Sequence, residues 1–138
     1  GEADTARRYY TDSLNIARGL TDREPGNTSY QRDLSISYER LADLALAEGE
    51  ANTARRLIAR ALEVRFALVR REPAREDLAV ELAYVLYLGS LVGITLGPEG
   101  VSPQEVTRQI LEPFEHRGRL GPRGRGLLQW ARSDSANP

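Results

Sequence analysis

The sequence contains no cysteine, no methionine and no lysine, and only one histidine. Without cysteine there is neither a disulfide framework nor a thiol nucleophile. Without lysine, a phosphate-binding P-loop and Schiff-base chemistry are both excluded, and all 19 basic residues are arginine. A zinc site would have to pair His116 with several carboxylates, a poor donor set. The formal net charge of −1 exerts no global pull toward nucleic acid or an anionic membrane. The longest uncharged apolar stretch, Leu82 to Leu96, is too short to span a bilayer and is broken by Gly89, Ser90 and Gly93. The N-terminus carries no secretory signal pattern. These absences predict a cytoplasmic chain without cofactor or metal. The missing methionine, position 1 included, points to a piece of a longer protein. The heavy use of arginine and alanine points to a GC-rich bacterial gene.

What the sequence does have is a repeat. Gly1-Glu2-Ala3-Asp4-Thr5-Ala6-Arg7-Arg8 recurs as Gly49-Glu50-Ala51-Asn52-Thr53-Ala54-Arg55-Arg56, with one difference. At the same offset of 48, Leu14 falls on Leu62, Ile16 on Val64, Leu20 on Leu68, and Arg23-Glu24-Pro25 on Arg71-Glu72-Pro73. Twelve of the first 25 residues are identical at that offset. A period of this size marks stacked repeats.

The spacing predicts a first helix from Glu2 to about Glu24. Its small-and-apolar face is Ala6, Tyr9, Tyr10, Ser13, Leu14, Ala17 and Leu20. Pro25-Gly26 stops it. A second helix opens at Thr28 in a capping box with Gln31 and runs to about Glu48 with Leu34, Tyr38, Leu41, Ala42 and Ala45 in a row. Gly49 permits a tight turn into a third helix, Glu50 to Arg71, whose stripe is Ala54, Leu57, Ile58, Ala61, Leu62 and Leu68. Two such helices joined by one glycine lie antiparallel, each roughly 33 Å long at 1.5 Å per residue. Pro73 suits the first turn of a fourth helix, about Ala74 to Gly93, which is apolar on nearly every side. Such a helix is either covered on two sides or lines an apolar groove. Within it, Asp77-Leu78-Ala79-Val80 repeats Asp33-Leu34-Ser35-Ile36 at an offset of 44.

After a Gly/Pro loop at 95–102, Ser102-Pro103-Gln104-Glu105 starts a fifth helix. It holds Val106, Ile110 and Leu111, and Phe114 continues its apolar row through Pro113. A short last helix from Pro122 to about Arg132 presents Leu127, Leu128 and Trp130, and 133–138 reads as a flexible tail.

The second and third helices resemble a tetratricopeptide repeat, a pair of antiparallel helices in the long-helix form seen in bacterial proteins. Tyr38, Leu41 and Ala42 stand in the first-helix pattern, Gly49 at the turn, and Ala54, Ile58 and Ala61 in the second-helix pattern. Gly1, Ala6, Tyr10 and Ser13 repeat the second half, and Val85 and Gly93 continue the first. The likeness departs from the family at Phe66, where a proline is usual, and after Gly93, where Pro98 interrupts the third repeat. The resemblance implies an all-α, helix-pair solenoid over residues 1–94 with a helical C-terminal cap at 103–132. It also implies a ligand groove on the inner face of the first-type helices. Glu39, Asp43 and Leu46 would fall there beside Val80, Ala83, Tyr87 and Leu91. That face would suit a ligand with a basic residue next to an apolar one.

Catalysis is poorly provided for. His116 reads as a surface residue near a helix C-terminus, where its charge suits the dipole. Gly97-Pro98-Glu99-Gly100 lacks the lysine and context of a phosphate loop. Glu39 and Asp43, four apart, share a helix face and read as a solvated acidic pair or as groove lining. Arg117, Arg119, Arg123 and Arg125 could contact phosphates, but without aromatic interleaving they read as an Arg/Gly linker. Tyr84, Tyr87 and Leu91 suit a core or intersubunit role, and Trp130 with Leu127 and Leu128 a core. The expected function is a non-catalytic module that binds a protein or peptide, not nucleic acid or membrane. The alternative is a structural or self-assembling solenoid attached to a catalytic or nucleotide-hydrolysing domain.

Overall fold

The computed structural model describes residues 1–135. The described chain is all-α: six helices and no strand, with one isolated bridge pairing Leu96 and Val101. It divides into two compact units, Gly1–Leu68 and Val69–Pro138.

The first unit holds α1 (Glu2–Arg23), α2 (Thr28–Ala47) and most of α3 (Ala51–Arg71). α1 packs along α2, and Arg7 of α1 pairs with Glu48 at the end of α2. The cap of α2 is Asn27, whose side chain accepts a hydrogen bond from Tyr30 N at 3.0 Å, in place of the expected Thr28–Gln31 box. Gln31 instead donates to the Pro25 carbonyl. An amide in the Asn27 side chain reaches the free N–H groups from one residue earlier than a capping threonine at 28 could. α2 ends at Gly49, whose φ of +73° turns the chain so that Glu50 N bonds back to Ala45 O at 2.8 Å. The repeat of this ending is Gly93, 44 positions on, where Ile94 N bonds to Gly89 O at 3.0 Å.

Of the apolar face expected on α1, only Leu14 and Ala17 are buried, together with Thr21. Tyr9 is 66% exposed and Ile16 65%. α2 covers one side of the α1 stripe and leaves the other side open. α3, with the same periodicity, buries Ala54, Ile58, Ala61, Leu62, Arg65 and Leu68.

The second unit holds α4 (Glu76–Leu91), α5 (Pro103–His116) and α6 (Pro122–Ser135), each packed on the other two. α4 starts later than the sequence suggests. Pro73 lies in the preceding turn, and Arg75 takes the cap position, its guanidinium bonded to the Asp77 carboxylate. The core joins Ala79, Val80 and Ala83 of α4 to Leu111 and Phe114 of α5, to Leu120, and to Leu128 of α6. α5 begins as expected: Ser102 Oγ accepts from Glu105 N, and Pro103 follows. It continues through Pro113 to His116. α6 continues past Arg132 through Ser135, so residues 133–135 are helical and not tail; the remainder of the expected tail, 136–138, lies outside the described residues. Gly124 of α6 sits so close to Leu120 and Val80 that a Cβ there would lie 2.4 Å from Leu120 Cδ1.

Candidate functional site

Along α1, Tyr9, Tyr10, Ser13, Ile16, Ala17 and Leu20 recur at three and four and line one side of an open groove of about 430 Å³. The opposite wall is α2, through Tyr30, Asp33, Ile36, Ser37 and Arg40. The α1 side carries no charge; the α2 side carries one acid and one base, seven residues apart. Ile36 is 42% exposed and joins Tyr9 and Ile16 as exposed apolar side chains around the groove. The Tyr9 and Tyr10 rings meet edge to face with centroids 5.5 Å apart. Ser13 Oγ donates to Tyr9 O and Ser37 Oγ to Asp33 O, so the donor of each hydroxyl is used within its own helix. A contiguous apolar surface rimmed by polar groups is the form that protein-contact sites take.

The residues singled out from the sequence are distributed otherwise. In the first unit, Glu39 is buried: its Oε2 accepts from Ser35 Oγ at 2.6 Å and from Arg65 Nε and Nη2 at 3.1 and 2.9 Å. It is therefore neither a solvated acid nor groove lining, because an unpaired carboxylate at that depth would cost several kcal/mol of desolvation, and Arg65 supplies the compensation. Asp43 is half-buried. Burial pushes its carboxyl above the ordinary value, and the Arg40 guanidinium draws it partway back. Leu46 is half-buried.

In the second unit, Val80 and Ala83 are closed inside the core with Leu111, Phe114, Leu120 and Leu128. The expected inner face of the fourth helix, at Val80 and Ala83, is thus occupied by α5 and α6. Tyr87 is half-buried against Trp130, edge to face at 5.2 Å. Tyr84 carries the Arg123 guanidinium over its ring at 5.3 Å. Only Leu91, 56% exposed, stands clear of the core. Arg125 donates to the Leu120 carbonyl at 2.7 Å, so two members of the arginine cluster hold the start of α6. His116 is exposed at the C-terminal end of α5. Among the described residues no group of three His, Cys, Asp or Glu side chains could hold a metal ion, and no helix is long and apolar enough to cross a membrane.

Comparison with protein families, with curated proteins and with solved structures found no match for this chain. The site therefore rests on geometry. Tyr9, Ile16 and Ile36 escaped the sequence reading because a helical stripe looks the same whether or not it is covered. The signal that could have found them is the repeat itself, which sets α1 beside α3 position by position.

Proposed function

We propose that this chain is a non-catalytic interaction module that holds a segment of a partner protein in the groove between α1 and α2. One observation carries the reading: Tyr9, Ile16 and Ile36 stand exposed around a single groove with an uncharged α1 wall. The engagement of Glu39 with Arg65, and the exposed position of His116 at a helix end, support a role without catalysis. A tetratricopeptide-like stacking of the helix pairs is the arrangement we infer from the 48- and 44-residue offsets. The absence of cysteine and the use of arginine in place of every lysine support a bacterial, cytoplasmic setting.

The test is a peptide-display selection on the whole chain, with Ile16→Glu as the counter-selected variant. Ile16 is mostly exposed, so a charge there blocks the groove without entering the core. Peptides that bind the parent chain and lose binding to Ile16→Glu and Ile36→Glu support the module reading. A selection whose binders ignore both substitutions sinks it. The second reading, self-assembly, is favoured by the same side chains and by exposed Leu91. It requires dimers that form with rising concentration and dissociate in the Ile16→Glu variant.

A further inference from the structure

Resting on that reading, we propose that the occupant of the α1–α2 groove is an amphipathic helix of a partner protein, built like α2 but uncharged at the position of Glu39. The first argument is register. The offset of 48 places Tyr10, Ser13, Ala17 and Leu20 of α1 on Ile58, Ala61, Arg65 and Leu68 of α3. In α3 these four form one buried stripe, and Arg65 within it holds Glu39 of α2. Through Arg65 this stripe meets α2. On α1 the same four positions form a wall of the open groove.

The second argument is charge. Ala17 replaces Arg65, so the wall has no cation to receive a buried acid. A helix with a glutamate facing Ala17 would bury the carboxylate against a wall that offers it no counter-charge, since the one cation lining the groove, Arg40, stands on the α2 side. This chain already contains the uncharged version of the first-type helix: at the offset of 44, Glu39 becomes Ala83. The third argument concerns the backbone. An extended peptide needs partners for its N–H and C=O groups, whereas a helix satisfies them internally. The donors of Ser13 and Ser37 are already used within their own helices, which leaves the three tyrosines, Asp33 and Arg40 as the polar groups of the lining, too few to pair a whole extended segment. The small side chains of Ser13 and Ala17, one turn apart, also let a helix axis approach closely. Finally, the groove is continuous with an existing helix–helix interface, because Ala17 is only 4% exposed and yet lines it.

The experiment uses two labelled synthetic peptides with the sequence of residues 27–48, one native and one carrying Glu39→Ala. Each is titrated by fluorescence anisotropy against the whole chain and against its Ile16→Glu and Ala17→Arg variants, with circular dichroism as the folding control. The Glu39→Ala peptide should bind at least tenfold more tightly than the native peptide, and Ile16→Glu should weaken it at least tenfold. Ala17→Arg should reverse the preference toward the native, glutamate-bearing peptide. If Ala17→Arg does not fold, the two peptides and Ile16→Glu decide alone. Absence of saturable binding, or binding indifferent to Ile16→Glu, overturns the inference. Proline-rich or otherwise non-helical ligands selected in an Ile16-dependent way overturn the helix and leave the interaction module standing. Dimers abolished by Ile16→Glu, with neither peptide competing, overturn it in favour of a second copy of this chain.

Discussion

Glu39 of α2 and Arg65 of α3 form a buried ion pair, with Arg65 Nε and Nη2 both within 3.1 Å of one carboxylate oxygen. Ser35 Oγ donates to the same oxygen, so three donors converge on it. The pair decides what may stand at either position. Arg65→Met leaves Glu39 buried without its counter-charge and should cost about 3–5 kcal/mol. The double change Glu39→Leu, Arg65→Met removes both charges and should recover most of that loss. Urea unfolding of the two variants, followed by circular dichroism, checks this. Equal losses in the single and double variants would show that the pair contributes through shape and not charge.

Gly124 and Gly126 lie two residues apart in α6 but meet different surroundings. A Cβ at Gly124 would lie 2.4 Å from Leu120 Cδ1 and 3.0 Å from Val80 Cγ2, whereas at Gly126 nothing stands within 4 Å. Both changes to alanine gain helix propensity of about 1 kcal/mol. Overpacking of about 1–3 kcal/mol opposes that gain at Gly124 alone. Thermal unfolding should show Gly126→Ala raising Tm and Gly124→Ala lowering it. A rise for both would mean that Leu120 swings away freely.

Asp43 should make the first unit less stable as the pH rises. Its folded carboxyl titrates above the ordinary value of 3.8, chiefly because burial disfavours the charged form. The stabilising contribution is thus complete below the unfolded value and is lost as pH passes upward through the folded one. Asp43→Asn should be more stable than the parent at neutral pH, and the difference should vanish near pH 3. A difference that is constant across that range rules out this origin.

Arg132 of α6 donates to Glu115 and to Glu112 of α5, at 2.6 and 2.9 Å. The hydrogen bonds from Arg132 hold the Glu115 carboxyl below its ordinary value of 4.5. A depressed carboxyl contributes stability above its unfolded value and loses it as pH falls through the folded one. In Arg132→Gln, an NMR titration should find Glu115 moved up toward the ordinary value. An unchanged midpoint would mean that solvent already screens the pair.

Much of the local structure was legible. Six helices follow from apolar spacing, and the Ser102 cap, the Gly49 turn and the continuation through Pro113 stand where local chemistry puts them. The cap of α2 was misassigned by one residue because Asn27 and Thr28 both offer a side-chain oxygen, and only backbone direction selects between them. Glu39 was misassigned for a different reason. Nothing in the order of residues around Glu39 reveals that Arg65, 26 positions away, lies against it. The opposite error was made on α4, where Val80 and Ala83 were assigned to a surface that α5 and α6 cover.

By itself the sequence determined the class of the protein, the number of helices, most of their ends, and the internal repeat. These depend on interactions within a few residues, or on comparing one stretch with another. The tertiary structure decided which stripes are covered. Periodicity reports where a side chain lies around its own helix and carries no information about what faces it. Hence Ile58 and Ala61 of α3 are wholly buried while their counterparts Tyr10 and Ser13 on α1 line an open groove, although the repeat makes the two helices nearly the same in pattern.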